Sequence, residues 1–133
     1  MLIAVSNDMI SSETTDHNNT DCEILWVTIS LVGAKALHIG AFYRPPDSDL
    51  DYLQNLESSL GRLTQSGAKD IWLGGDFNAP HVDWSSLEMA PAAGGKRALY
   101  QHLVDITMDH NLDQVLDKPT RGDNILDLLL TNN

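Results

Sequence analysis

A chain of 133 residues with 42% hydrophobic side chains is one domain's worth of polymer and can bury a real core, which excludes a disordered segment. Nineteen acidic against eight basic residues give a formal charge of −11, the wrong sign for gripping nucleic acid over a broad basic face. A divalent cation stays open, because an acidic pocket attracts one and the ion can then bridge to a phosphate. The single cysteine, Cys22, excludes an internal disulfide framework and any cysteine-based zinc site. MLIAV is too short and lacks the positive flank of a signal peptide, and no run reaches transmembrane length, so the expectation is an intracellular protein without a membrane partner.

In chain order, LIAVS reads as a strand and the polar stretch 11–21, SSETTDHNNTD, as a loop. EILWVTISLV and, after Gly33, AKALHIGAFY are rich in β-branched and aromatic residues and read as an antiparallel hairpin. In the second run Leu37, Ile39, Ala41 and Tyr43 share one face and His38, Gly40 and Phe42 the other, which predicts a strand covered on both sides. Arg44-Pro45-Pro46 ends it. From 48 to 64 the residues Leu50, Leu53, Leu56, Leu60 and Leu63 repeat at helical spacing behind a cap at Asp47 or Ser48. After Gly67, DIWLGG predicts a buried strand; 84–95 is a loop with Pro91 and Gly94-Gly95. A second helix is expected over about 96–110, burying Leu99, Leu103 and Ile106. The turn Lys118-Pro119-Thr120-Arg121-Gly122 then leads to the strand ILDLLLT.

Helices alternating with strands after a leading hairpin predict an α/β (α+β) layered domain. Strands at both extremes lead us to expect a segment of a larger domain, with apolar strand edges prone to aggregation unless a partner covers them.

The stretch WLGGDFNAPHVDW, 72–84, holds the densest chemistry. Residues i and i+2 of an extended chain point the same way, so Asp76 and Asn78 can converge beyond the strand end, and Gly74 and Gly75 leave room for a ligand or another backbone. An aspartate can orient a water or bind a hard cation, and an asparagine can donate to a phosphate. An ordinary turn, with a local bond from Asn78, explains the same tetrapeptide equally well. Asp127 stands among leucines, where a carboxylate needs a donor, a cation, or solvent at an edge. Tyr43 and Arg44 place a phenol and a guanidinium where a loop begins. His81 and Asp83 are set aside as ligands, since Pro80 interrupts the loop. His38, His102 and His110 need no special role.

GAFYRPP, GGDFNAP and KPTRGDNILDLLLTN, in this order, resemble the endonuclease/exonuclease/phosphatase family, and more narrowly the apurinic-type endonuclease domain of non-LTR (LINE-like) retrotransposons of the jockey and CR1 kind. The resemblance implies mixed sheets packed face to face with helices outside, and hydrolysis of a phosphodiester by water with a divalent metal, Mg2+. It makes Asp76 the residue that orients or deprotonates the water and a candidate metal ligand, and Asn78 a donor to the scissile phosphate. Tyr43 would contact that phosphate or the leaving group, Thr120 the substrate strand, and Arg44 and Arg121 phosphates. Asp127 would orient a catalytic histidine or the metal-bound network. The implied partners are DNA and a reverse transcriptase domain of the full element, with the nucleus as the matching compartment. The family's domain also opens with an asparagine and a metal-holding glutamate and closes with a Ser-Asp-His segment. Neither lies between Met1 and Asn133, so the isolated chain is expected to be inactive or nearly so. A phosphatase or other phosphodiesterase of the same family, and a non-catalytic remnant or binding module, are the alternatives.

Overall fold

The computed structural model describes residues 3–5, 10–13, 22–30, 33, 35–116, 118 and 126–132. Strands β1 (Ile10–Glu13), β2 (Glu23–Ser30) and β3 (Leu37–Tyr43) pair antiparallel in sequence, with Gly33 at φ +71° between the last two. The chain then crosses through helix α1 (Leu50–Gln65) to β4 (Asp70–Asp76), which lies parallel to β3. A ribbon of β5 (Val82–Asp83) and β6 (Glu88–Met89) and a 3₁₀ turn (Pro91–Lys96) lead into helix α2 (Arg97–Asp109). Edge strand β7 (Asp113–Gln114) and β8 (Asp127–Thr131) complete a six-stranded mixed sheet in the order β1-β2-β3-β4-β8-β7; β5 and β6 form a second, two-stranded sheet. The α+β reading of the sequence holds.

Alternation along the strands decides which face is core. Trp26, Phe42, Leu73, Leu128 and Leu130 point to one side and are at most 2% exposed, packed against Leu53, Leu56, Leu60 and Leu63 of α1 and Leu103 and Ile106 of α2. Burial of each such side chain stabilises by about 1.5–3 kcal/mol. The indole N–H of Trp26 donates to the Ser59 hydroxyl on α1 at 2.9 Å, so the one polar atom of that ring is satisfied inside the core. Gly40 faces the same ring across the β2–β3 pair, where a Cβ would come within 2.6 Å of it.

Four expectations change. β3 is not covered equally on both sides: Gly40 and Phe42 are buried, whereas Leu37, Ile39, Ala41 and Tyr43 are only half-buried, because both helices lie on the other face. Residues 3–5 form no strand, and the first strand lies in the stretch read as loop, where Ser11 and Ser12 pair with Ile29 and Thr28. An edge position tolerates such polar residues. The cap of α1 is Asp49, whose carboxylate accepts the Asp51 N–H at 3.2 Å. Ser48 is unavailable for that purpose, since its hydroxyl donates to the Pro45 carbonyl at 2.7 Å. Among the described residues no helix is long and apolar enough to cross a membrane.

Gly75 carries the tightest approach in the sheet. It sits at φ +148°, and a Cβ there would lie 1.7 Å from the Phe42 carbonyl oxygen of the neighbouring strand, whereas Gly74 would meet only ordinary contacts at 3.7 Å. Of the two uses foreseen for this glycine pair, the close backbone is the one observed at Gly75. Gly75→Ala should cost more than about 3 kcal/mol, and Gly74→Ala less than about 1 kcal/mol. Urea unfolding of the two variants measures the difference.

Candidate active site

Three strands finish level with one another. The parallel register sets Tyr43 beside Asp76, and the antiparallel register sets Asp127 opposite Asp76. Register partners project to the same face, so a phenol and two carboxylates stand in a row at the C-terminal end of β4, on the face away from the helices. Tyr43 and Asp76 are half-buried and Asp127 is exposed. The expectation of a carboxylate among leucines is corrected in this respect: Asp127 opens its strand, and its neighbours Leu126 and Leu128 carry the burial, at 6% and 2% exposure.

Beyond Asp76 the chain turns at once. Phe77 is fully buried against Phe42, ring centroids 4.9 Å apart, and its N–H donates to the Leu126 carbonyl at 2.9 Å. Asn78 follows at φ +48°, a backbone conformation that asparagine tolerates better than most residues. The Asp76 carboxylate accepts the Asn78 N–H at 3.0 Å, and the Asn78 amide donates to the Arg44 carbonyl at 2.6 Å. Asp76 and Asn78 are therefore linked through a turn and not by strand alternation. Turn and site, which compete in the sequence, are the same object here: one carboxylate oxygen holds the turn and the other stays available.

Arg44 holds this turn from beneath. It is 1% exposed; its Nε donates to the Phe77 carbonyl at 2.7 Å, one terminal nitrogen to the Asn78 carbonyl at 2.5 Å and the other to the Ser48 hydroxyl at 2.9 Å. Its backbone N–H donates to the Asp76 carbonyl at 2.9 Å. The sequence places Arg44 at a phosphate; in the structure its donors are turned inward onto loop carbonyls that burial would otherwise leave unpaired. Burial pulls the guanidinium below its ordinary value, opposed by Tyr100 and Asp76, and an arginine remains charged under such a shift. Sequence reasoning missed this role. Its signal is an arginine between a strand-ending tyrosine and two prolines.

Asp83 accepts from the Ser85 hydroxyl at 2.6 Å and the Ser85 N–H at 3.0 Å, and these bonds, with the Ser86 N–H, hold its carboxyl below the usual range. The His81 ring lies 6.2 Å from that of Tyr100. Thr120 and Arg121 lie outside the described residues. Among the described residues no group of three or more His, Cys, Asp or Glu could hold a metal, so the Asp76–Asp127 pair is the donor set on view.

Burial raises the phenols of Tyr100 and Tyr52, and the latter accepts the Glu23 N–H at 2.8 Å. A raised acid favours the neutral form in the fold. Stability is then whole below the ordinary phenol value of about 10 and falls as pH climbs through the higher folded values. The urea midpoint should drop as pH rises above about 10, and Tyr100→Phe should flatten that drop.

The fold is a mixed α+β domain with this row of residues at the end of its central strands. The chain belongs to the endonuclease–reverse transcriptase family, whose sequence model matches residues 37–133 and so spans every candidate residue named above. Among solved structures it is similar to the endonuclease domain of TRAS1, a telomere-specific non-LTR retrotransposon, with a TM-score of 0.69 at 17% identity. That alignment covers 92% of this chain and 54% of the other, so the chain spans about half the length of that structure. At this identity the likeness is one of fold. A comparison with curated proteins finds no match. The family reading carried by the three sequence segments holds.

Proposed function

We propose that this chain carries the water-orienting part of a metal-assisted DNA endonuclease of retrotransposon origin. The observation that supports the reading most is the level row Tyr43, Asp76 and Asp127 above a turn clamped by Arg44. Two carboxylates directly opposite one another on adjacent strands repel, and a cation between them removes that cost. Magnesium keeps several waters and is held through one or two carboxylates, so the donor set fits it. When bound, a divalent ion would neutralise charge on the phosphate and make a water more acidic.

The chain's own groups divide the remaining tasks. The Asp76 oxygen not used by Asn78 N–H would orient the attacking water and accept its proton. The Tyr43 hydroxyl would donate to a phosphate oxygen, and Asn78, whose amide keeps a second hydrogen, would do the same. Arg44 is a positioning residue. Thr120 and Arg121 would follow the substrate strand. The family's name pairs the endonuclease with a reverse transcriptase, which is the partner we propose, with chromosomal DNA in the nucleus as the target.

Titration with Mn2+ or Mg2+ and nicking of supercoiled plasmid test the reading together. The expected result is metal binding that Asp76→Asn and Asp127→Asn each weaken, and nicking, however slow, that disappears in Asp76→Ala. Equal metal affinity in the doubly substituted chain, or nicking that survives Asp76→Ala, would overturn it.

A further inference from the structure

We infer that the sheet face turned away from both helices is a docking surface for a basic amphipathic segment of a partner protein, one whose apolar stripe is edged by lysine or arginine. Docking there does not depend on hydrolysis at the row of Tyr43, Asp76 and Asp127, which occupies one end of the same face. The strand registers define that face. Leu25, Ala41, Gly74 and Leu129 stand side by side across four strands, and the next row is Val27, Ile39, Trp72 and Thr131. Both helices pack on the opposite side, against Trp26, Phe42, Leu73 and Leu128.

Trp72 is 40% exposed on this face, and Leu25, Ile39, Ala41 and Leu129 around it are only half-buried. A contiguous apolar patch with a polar rim is the usual mark of a protein contact. Val27 is buried, so the open part of the patch lies over β3, β4 and β8. Three strands spaced about 4.8 Å apart span about 10 Å, close to the width of a single helix, about 10–12 Å. Gly74 leaves a shallow socket between Trp72 and Asp76, where a Cβ would meet only ordinary contacts at 3.7 Å. The footprint suits one short element and not a large domain.

Charge selects the occupant. Glu23, Asp70, Asp76 and Asp113 frame the patch: Glu23 and Asp76 are register partners of Tyr43, Asp70 of Leu37, and Asp113 of Thr131. Among the described residues no lysine, arginine or histidine holds a register position on this face of β2, β3, β4, β7 or β8. Lys35 and Lys69 line a cleft with His38, whose register partner Ile71 lies in the core, so those cations belong to the helix side. A second copy of the chain would set one acidic rim against another in any orientation, and the phosphates of a nucleic acid or a lipid surface are repelled by the same rim. An uncharged apolar cover would desolvate the half-buried Asp70 and Asp76 without giving them a partner. Lysines or arginines flanking an apolar stripe meet the carboxylates at the rim, where complementary charge steers association and fixes orientation.

The test is calorimetric titration of the full chain with a helical peptide that carries leucine on one stripe and lysine elsewhere. A peptide with glutamate in place of lysine, and one of the same leucine and lysine content without a stripe, are the controls; the Trp26 indole N–H resonance reports on the fold of each variant. One-to-one binding of the striped lysine peptide is expected, weakened about tenfold by Trp72→Gln and about tenfold by Glu23→Gln, Asp70→Asn and Asp113→Asn together. Glu88→Gln, Asp105→Asn and Asp109→Asn together remove the same charge from exposed positions off this face and should leave the affinity unchanged. No binding, equal binding of either control peptide, or equal weakening by the two triple variants would overturn the proposal. So would a dimer of the free chain in sedimentation that Trp72→Gln dissociates, since the occupant would then be a second copy.

Discussion

Arg44→Met should lower the unfolding free energy by about 3–5 kcal/mol. Methionine fills much of the same volume and removes every donor. The Phe77 and Asn78 carbonyls, which receive the Arg44 Nε and one terminal nitrogen, then lose their partners where water cannot replace them. Each buried acceptor left unpaired costs about 1–3 kcal/mol, and a charged donor makes its bonds stronger than neutral ones. Arg44→Lys should recover less than half of the loss. A single ammonium cannot reproduce the fork that spans Phe77, Asn78 and Ser48. Urea unfolding with amide exchange at Phe77 and Asn78 is the measurement. A lysine variant as stable as the parent would show that charge, and not the fork, holds the turn.

Asp76→Asn should behave in the opposite way. The asparagine keeps an oxygen for the Asn78 N–H, so the turn survives, while the repulsion with Asp127 across the strand pair is gone. The charge that supports the buried Arg44 is lost with it, so in the absence of metal we expect stability to stay within about 1 kcal/mol of the parent. Hydrolysis should fall about 10²-fold to 10⁴-fold, because the neutral amide cannot take a proton from water. Loss of chemistry at little cost in stability marks a residue placed for function. An Asp76→Asn variant less stable than the parent by well over about 1 kcal/mol in a chelating buffer would make Asp76 a structural residue instead.

The parts of this fold that are legible in the sequence are those where one periodicity dominates. The five leucines of α1 and the β-branched run of β2 specify their elements locally, and four of those leucines are the ones buried at 0–1% exposure. β1 was not legible, since ISSE becomes a strand only by pairing with residues 27–30. The candidate site divides in the same way. Asp76, Asn78 and Tyr43 were visible as chemistry at strand ends. That Tyr43, Asp76 and Asp127 form one row depends on register between strands as far apart in sequence as 43 and 127, which no local pattern encodes. Asp127 illustrates the cost of that gap: its leucine neighbours suggested burial, and only the strand's starting point shows it to be exposed. Arg44 failed in the other direction, because a cation in a loop is ordinarily at the surface.

The crossover from β3 to β4 gives the two junctions of α1 unequal standing. Residues 45–49 join the helix to the end of β3 that bears Tyr43, and Ser48 and Pro45 receive bonds from Arg44. The other junction, at Gly67, is exposed, has φ +99° and lies just before β4, at the opposite end of that seven-residue strand from Asp76. A circular permutant opened at Gly67, or a reporter domain inserted there, should leave the clamp and the carboxylate row in place. The same cut made between 45 and 49 would sever the guanidinium from its supports, so one helix offers both an engineering handle and a forbidden zone.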